Sequence, residues 1–167
     1  MPIARTAITF LLTTLLTAIP AAAADLRLED FFKGRTTAKG TFRAITGLKR
    51  EFDVVLQGRW DGETLVLRED FRYADGERDT KTWRFRKTGR NTYSGTREDV
   101  LGETKVTLSG NEAWFTYRVD LDPGKDRNIV RFVDKLELSP NGQTLLNRAS
   151  VFKGLLPVAS VRVEFTR

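Results

Sequence analysis

The feature that most constrains this chain is a regular alternation of apolar and polar residues that runs from residue 36 almost to the C-terminus. A period of two is typical of strands with one buried face, because successive side chains of a strand point to opposite sides. Turn dipeptides such as Asp61-Gly62, Asp75-Gly76 and Asn141-Gly142 interrupt the alternation at short intervals. The sequence therefore predicts an all-β chain of about ten strands after a short helical turn at residues 26–32. The predicted strands cover residues 36–45, 50–60, 64–73, 80–87, 92–97, 104–108, 113–121, 128–138, 144–153 and 158–166.

The short connections between these strands favour an up-and-down meander. A meander of this many strands loses its exposed edges when it closes into a barrel. We therefore predict an up-and-down antiparallel β-barrel of the lipocalin or calycin type, formed by residues 25–167 as a single domain. A barrel of about eight to ten strands is either filled by its own side chains or holds one small ligand. A β-sandwich with long Greek-key crossovers is the alternative fold.

The first 24 residues have a different character. Arg5 precedes an apolar run over residues 7–19, and Ala22-Ala23-Ala24 follow Pro20, which is the pattern of a secretory signal peptide. The run is shorter than the roughly 20 apolar residues of a membrane-spanning helix. We expect cleavage after Ala24 and a periplasmic protein without a lipid anchor, since the chain has no cysteine to acylate.

The composition narrows the possible chemistry, because the chain contains neither cysteine nor histidine. Disulfide bonds, a thiol nucleophile, a Ser-His-Asp triad and a His-ligated or Cys-ligated metal are all excluded. We predict no cofactor and no metal. The 28 basic and 22 acidic residues give a net charge of +6, but the charges alternate along the chain and do not indicate a nucleic-acid partner. They are consistent either with weak contact to an anionic membrane surface or with ordinary solubility.

The alternation also predicts which side chains face the barrel interior, and most of these are apolar or aromatic. Three charged residues, Glu69, Asp134 and Arg148, fall on the same predicted face. A buried ion costs several kcal/mol unless it is paired, so we expect these groups to meet one another or a ligand. They form either an ion network that fixes strand register or a site in which Arg148 binds the anionic head of a ligand. A slip of one residue in a strand would reverse these assignments.

In the second interpretation, an aromatic surface receives the tail of a lipophilic small molecule such as a fatty acid or lipid. The residues predicted for this surface are Phe71, Tyr73, Trp83, Phe115, Tyr117 and Phe132. One alternative is a carboxylate-dependent enzyme acting on a lipid-like or sugar substrate. Adjacent residues of a strand point apart, so such an enzyme would pair Glu69 with Asp134 and not with Asp70. The other alternative is a structural envelope protein whose barrel is filled.

Short motifs in a fixed order extend across residues 31–154. They are Phe31-Phe32-x-Gly34, Gly58-x-Trp60-Asp61-Gly62, Leu67-x-Glu69-Asp70-Phe71-x-Tyr73-x-Asp75-Gly76, Asp99-Val100-x-Gly102 and Asn147-Arg148. Together they resemble the bacterial envelope family known as domain of unknown function 3833. The resemblance implies a lipocalin-like barrel without an assigned activity, and many members of the family are lipoproteins. The missing cysteine departs from that pattern and is the reason to expect an untethered form.

Overall fold

The structure is a computed structural model and describes residues 24–122 and 128–167. The predicted signal peptide therefore lies, except for Ala24, outside the described residues. A five-residue helix and ten strands follow one another along the chain. They are α1 Leu28–Phe32, β1 Gly34–Ala44, β2 Lys49–Trp60, β3 Thr64–Tyr73, β4 Arg78–Gly89, β5 Thr92–Thr96, β6 Thr104–Ser109, β7 Glu112–Asp120, β8 Ile129–Leu138, β9 Thr144–Lys153 and β10 Leu156–Thr166. Within these described residues, no helix has the length and hydropathy to cross a membrane.

Each strand pairs with its neighbours in sequence, and pairing between β1 and β10 closes the sheet. The predicted up-and-down antiparallel barrel is confirmed, and the alternative Greek-key sandwich is wrong. Hairpin geometry explains the order, because short turns leave consecutive strands side by side. Asp61 shows how one turn is held, since its Oδ1 accepts hydrogen bonds from the backbone N–H groups of Glu63 at 2.9 Å and Thr64 at 2.7 Å. Gly62, which lies between Asp61 and Glu63, has a φ of +105°, a backbone conformation that disfavours any side chain.

Helix α1 closes one end of the barrel. Gly58 of β2 permits this, because a Cβ atom there would lie 1.8 Å from the carbonyl oxygen of Phe32. Phe31 and Phe32 are buried, and the Phe32 ring packs edge-on against Phe165 with 5.4 Å between the ring centroids. We call this the closed end. The opposite end, where the β1–β2, β3–β4, β5–β6, β7–β8 and β9–β10 connections lie, is the open end.

Period-two alternation correctly predicts the inward faces of most strands. Strands β2, β3, β4, β7, β8 and β10 bury or half-bury the residues assigned to the interior. The assignment for β9 is wrong by one residue. Leu145, Asn147, Ala149 and Val151 face inward, whereas Arg148 is exposed and pairs across the sheet with Lys135. Arg148 therefore lies on the outer wall, where its Nη1 is 3.4 Å from Glu137 Oε2.

Candidate functional site

The barrel encloses a cavity of about 640 Å³ that extends from the closed end to the open end. Leu28 and Phe32 of α1 form its floor. The wall continues upward to Leu48 in the β1–β2 connection and Leu121 after β7, which lie at the mouth. The sequence leaves open whether the interior is filled by side chains or holds a small ligand, and this cavity has room for a small ligand.

Two groups of aromatic rings form much of the cavity wall. On β2 and β3, the ring centroid of Phe52 lies 5.8 Å from that of Phe71 and 5.6 Å from that of Tyr73. Across the interior, Trp83 of β4 meets Tyr117 of β7 edge-on at 5.2 Å. Tyr117 in turn stacks at 5.2 Å on Phe132 and at 5.6 Å on Phe115. These surfaces suit a flat or flexible apolar ligand.

Eight of the nine residues predicted for a ligand site line this one cavity. They are Glu69, Phe71, Tyr73, Trp83, Phe115, Tyr117, Phe132 and Asp134. Arg148 is the exception, because the residues of β9 that face inward are offset by one position from the prediction. The role of these residues in binding stays a prediction.

Arg97 is the buried arginine that lines the cavity, a role that the sequence predicted for Arg148. It follows the last residue of β5, and its guanidinium donates hydrogen bonds to Asp99, from Nε to Oδ1 at 2.6 Å and from Nη2 to Oδ2 at 3.1 Å. Its Nη1 lies 3.8 Å from Glu69 Oε2. The guanidinium carbon is 4.7 Å from the centre of the Trp83 ring, so a cation–π contact adds to the ion pairs. Both carboxylates compete with any anionic ligand for this arginine.

A signal for Arg97 is present in the sequence but is weak. Tyr93 and Gly95 are buried residues of β5, and Arg97 continues the same alternation two positions further. The strand ends at Thr96, however, so the alternation must be extended into a connection where no periodicity is guaranteed. In the sequence, Asp99 belongs to the family motif Asp99-Val100-x-Gly102, which does not indicate that it pairs with Arg97.

Asp134 and Asn147 form an incompletely paired polar group in the wall. They project inward from adjacent strands, since β8 and β9 pair Asp134 with Ala149 and Leu136 with Asn147. Asn147 Nδ2 donates a hydrogen bond to Asp134 Oδ1 at 2.6 Å. Among the described residues, the remaining oxygens Asp134 Oδ2 and Asn147 Oδ1 are buried and have no hydrogen-bond partner. Neither of these buried acceptors has a donor within hydrogen-bond distance in the described part of the chain, although the Tyr117 hydroxyl lies near Asp134, and such groups are rare in folded proteins.

Burial also disfavours the charged forms of two carboxyl groups in the cavity. It raises the pKa of Asp134 to about 6, against the opposing effects of the Asn147 hydrogen bond, the Arg97 charge and the nearby Tyr117 hydroxyl. It raises the pKa of Glu69 to about 7, although the nearby Arg97 charge acts in the opposite direction. Glu69 is therefore partly protonated near neutral pH, whereas Asp134 is mostly ionised.

The same two carboxyl groups are those of the predicted enzyme alternative. Glu69 faces the cavity, whereas Asp70 lies on the outer surface and accepts hydrogen bonds from Arg68 Nε at 3.0 Å and Thr80 Oγ1 at 2.8 Å. The expected separation of these adjacent residues onto opposite faces is confirmed. A catalytic role for Glu69 with Asp134 stays a prediction.

Charged residues near the mouth are paired with one another. The Arg50 guanidinium lies 4.0 Å from the centre of the Tyr73 ring, and its Nη2 contacts Asp75 Oδ2 at 2.8 Å and Glu77 Oε2 at 2.6 Å. Lys81 Nζ lies 2.9 Å from Asp99 Oδ2. Acidic side chains outnumber basic ones two to one in the cavity lining. The basic members are Arg50, Lys81 and Arg97, and the acidic members are Glu69, Glu77, Asp79, Asp99, Asp120 and Asp134.

No group of three or more acidic residues in residues 24–122 and 128–167 is arranged to hold a metal ion.

The closed antiparallel sheet, the helical plug and the open cavity define a lipocalin-like β-barrel. The chain belongs to the family described as protein of unknown function, DUF3833, whose profile matches residues 12–167. No curated protein sequence matches the chain.

Two solved structures share the fold. Rv2717c from M. tuberculosis is 14% identical, with a TM-score of 0.58 over 81% of this chain and 92% of its own. The S-type phycobiliprotein lyase CPES from Guillardia theta is 9% identical, with a TM-score of 0.55 over 84% of this chain and 91% of its own. At these identities, the likeness concerns the fold.

Proposed function

We propose that the protein binds one lipophilic small molecule inside the barrel, with its apolar part along the aromatic walls and its polar group at Asp134 and Asn147. The observation that carries this proposal is the pair of buried oxygens without a hydrogen-bond donor, Asp134 Oδ2 and Asn147 Oδ1. Both oxygens are shielded in this conformation, so a ligand that donates hydrogen bonds to them requires a rotation of the Asp134 and Asn147 side chains, and it would remove the cost of leaving these oxygens unpaired. The cavity volume of about 640 Å³ is in the normal range for small-molecule sites.

The charges of the cavity favour a neutral or cationic polar group over an anionic one. The expectation of an anionic ligand head rested on Arg148, which lies on the outer wall. The inward Arg97 is already held by Asp99 and faces Glu69. Since the lining carries more acidic than basic groups, a carboxylate entering the cavity meets repulsion as well as attraction. A hydroxyl or amine on an apolar chain supplies the missing donors without that penalty.

We propose further that this binding takes place in the bacterial envelope and that the ligand is lipid-like. The export pattern of residues 1–24 supports the location, and the aromatic cavity supports the lipophilic character. Mass spectrometry of the protein purified from the periplasm tests the first point. A mature N-terminus at Asp25 is expected, and an unprocessed chain confined to the cytoplasm would contradict it.

Binding can be tested by titrating the protein with dodecylamine, dodecanol and dodecanoate, three probes with the same chain and different head groups. Trp83 lies in the cavity wall, so ligand entry should change its fluorescence. We expect dodecylamine and dodecanol to bind more tightly than dodecanoate. Asp134→Asn removes the charge with little change in shape and should weaken dodecylamine binding about tenfold.

Glu137→Gln is the matched control. Glu137 lies on the same strand, but its side chain is 45% exposed and pairs with Arg148 on the outer wall, so its substitution should leave every affinity unchanged. Absence of saturable binding by all three probes would contradict the proposed function. Tighter binding of dodecanoate, with no effect of Asp134→Asn, would contradict the proposed polar site. It would support a ligand with an anionic head group instead.

A further inference from the structure

The large apolar side chains that are most exposed gather at one end of the barrel. In the described residues, the five highest exposures of such side chains all lie in connections at the open end or next to them. They are Ile45 at 74%, Leu48 at 55%, Leu121 at 55%, Leu155 at 91% and Leu156 at 70%. A soluble surface can expose single apolar residues without consequence, but a cluster beside a cavity mouth marks an interaction site.

Hydrogen bonds show that three connections form a continuous arc on one side of the mouth. The backbone N–H of Ile45 donates to the carbonyl of Val158 at 2.9 Å, which joins the β1–β2 connection to β10. Lys153 Nζ, at the end of β9, donates to Asn128 Oδ1 at 2.7 Å, which joins the β9–β10 hairpin to the β7–β8 connection. Ile45, Leu48, Leu121, Leu155 and Leu156 therefore constitute one surface, which we call the apolar arc.

Positive charge borders the apolar arc except at Leu121, which lies between Asp120 and Asp122. Arg43, Lys49 and Lys153 are exposed beside the arc, and Lys49 pairs with Glu51. Neither residues 43–50 nor residues 138–163 contain an aspartate or glutamate. The opposite side of the mouth is acidic, with Asp75 and Glu77 in the β3–β4 connection. The mouth thus has an apolar and basic side and an acidic side. An anionic lipid surface matches the first side in both hydrophobicity and charge.

The arc is also continuous with the cavity. Leu48 and Leu121 belong both to the arc and to the lining of the cavity mouth. A surface held against these two residues would lie directly over the entrance. A lipophilic molecule could then move between that surface and the cavity without crossing bulk water.

We propose that the apolar arc docks onto the surface of an anionic lipid bilayer, so that the barrel takes up or delivers its ligand at the membrane. This inference rests on the proposed function, because it names the place where the ligand is exchanged. The leucines enter the headgroup region, and Arg43, Lys49 and Lys153 approach the lipid phosphates. Few side chains are inserted, so the docking is reversible.

The absence of cysteine allows a test that is specific to position. A single cysteine is introduced in the full chain as Leu155→Cys, or as Val133→Cys on the outer wall, and labelled with the fluorophore NBD. Vesicles of phosphatidylcholine mixed with phosphatidylglycerol are then added. We expect a blue shift and increased emission at position 155 and no change at position 133. Pure phosphatidylcholine should give a response at least about threefold weaker, because the charge attraction is lost.

A matched pair of double variants gives the second measurement. Leu155→Asp with Leu156→Asp should lower vesicle partitioning at least about tenfold, because two exposed leucines are lost from the arc. Trp114→Asp with Val133→Asp adds the same charge at exposed positions of the outer wall and should lower it far less. Equal responses of the probe at positions 155 and 133, or equal losses in the two double variants, would overturn the docking proposal.

Dodecylamine titration without vesicles separates this proposal from the one on which it rests. We expect the Leu155→Asp and Leu156→Asp double variant to retain the wild-type affinity in solution, because neither residue lines the cavity. Intact dodecylamine binding together with no vesicle response would overturn membrane docking and leave ligand binding in place. Absence of dodecylamine binding by the wild type would overturn the proposed function itself.

Discussion

The closed end and the cavity of this barrel each bury carboxyl groups, but they surround them differently. At the closed end, Glu29 accepts hydrogen bonds from both Lys87 Nζ and the Tyr93 hydroxyl. Burial alone would raise the pKa of Glu29, but these two partners lower it below the ordinary value. In the cavity, Asp134 has one hydrogen bond from Asn147 and an unpartnered Oδ2, and burial raises its pKa.

This difference separates a structural ion pair from a candidate binding group. The contacts of Glu29 fasten α1 to the barrel wall, so its charge contributes to the stability of the closed end. The unpaired oxygens of Asp134 and Asn147 instead lower stability, since each buried acceptor has lost water without gaining a donor. Departures of this kind from complete hydrogen bonding are concentrated at functional sites.

The largest effect is expected at the closed end. Glu29→Ala leaves the buried Tyr93 hydroxyl without its acceptor and Lys87 without its ion-pair partner. The free energy of unfolding should fall by about 3 kcal/mol, as when one partner of a buried pair is removed. Urea denaturation measures this change, with the exposed Glu137→Ala as control. Equal stability of the Glu29→Ala and Glu137→Ala variants would show that the buried contacts of Glu29 do not stabilise the closed end more than an exposed ion pair stabilises the outer wall.

A smaller effect of opposite sign is expected in the cavity. Because the pKa of Glu69 is raised from 4.5 to about 7, the contribution of Glu69 to stability is greatest below pH 4.5 and is lost as the pH rises through 7. Glu69→Gln cannot ionise, so at about pH 8 it should be more stable than the wild type by about 2 kcal/mol, and the gain should vanish near pH 4.5. Urea titrations at several pH values measure the difference. A gain in the stability of Glu69→Gln that does not depend on pH would show that burial does not raise the pKa of the Glu69 carboxyl.

The contribution of Glu29 to stability has the opposite pH dependence, so the two carboxyl groups can be distinguished in one experiment. Its pKa is lowered in the fold, so its contribution to stability is present above 4.5 and is lost as the pH falls through the lowered value. Acid should therefore stabilise the cavity as the pH falls from about 7 to 4.5 and weaken the closed end only below pH 4.5. A Glu29→Gln variant that kept the full acid sensitivity of the wild type would contradict this assignment.

The smallest effect is expected at Arg148. Its side chain is exposed on the outer wall, and its only described ion-pair partner is Glu137 at 3.4 Å. Arg148→Ala should change the free energy of unfolding by less than about 0.5 kcal/mol and leave dodecylamine affinity unaltered. Urea denaturation measures the free energy of unfolding, and calorimetric titration measures the affinity for dodecylamine. A clear loss of dodecylamine affinity would show that Arg148 contributes to the ligand site and would contradict the observed register of β9.

The barrel and most of its inward face could be predicted from the sequence, because the pleat of a strand imposes a strict period of two. Strand β9 is the exception, since both of its faces combine apolar and polar residues. Leu145 and Val151 lie on the inner face with Asn147, and Phe152 lies on the outer face with Arg148. Hydropathy does not distinguish these faces, so only the pairing with β8 decides between them.

The polar site was harder to predict for two physical reasons. Arg97 lies beyond the end of β5, where the path of the chain no longer follows the alternation. The contact between Asp134 and Asn147 depends on the register of two strands, which no local pattern determines. The volume of the cavity likewise depends on how side chains pack across the barrel and not on the order of polar and apolar residues.

The central claim is that the unpaired oxygens of Asp134 and Asn147 are the polar end of a ligand site. A crystal structure of the protein grown with dodecylamine tests it most directly. We predict the amine nitrogen within hydrogen-bond distance of Asp134 Oδ2 and Asn147 Oδ1, with the alkyl chain between the Phe71 and Tyr117 sides of the cavity. An amine nitrogen bound instead at Asp75 and Glu77, or a cavity filled only by water at saturating dodecylamine, would contradict the account.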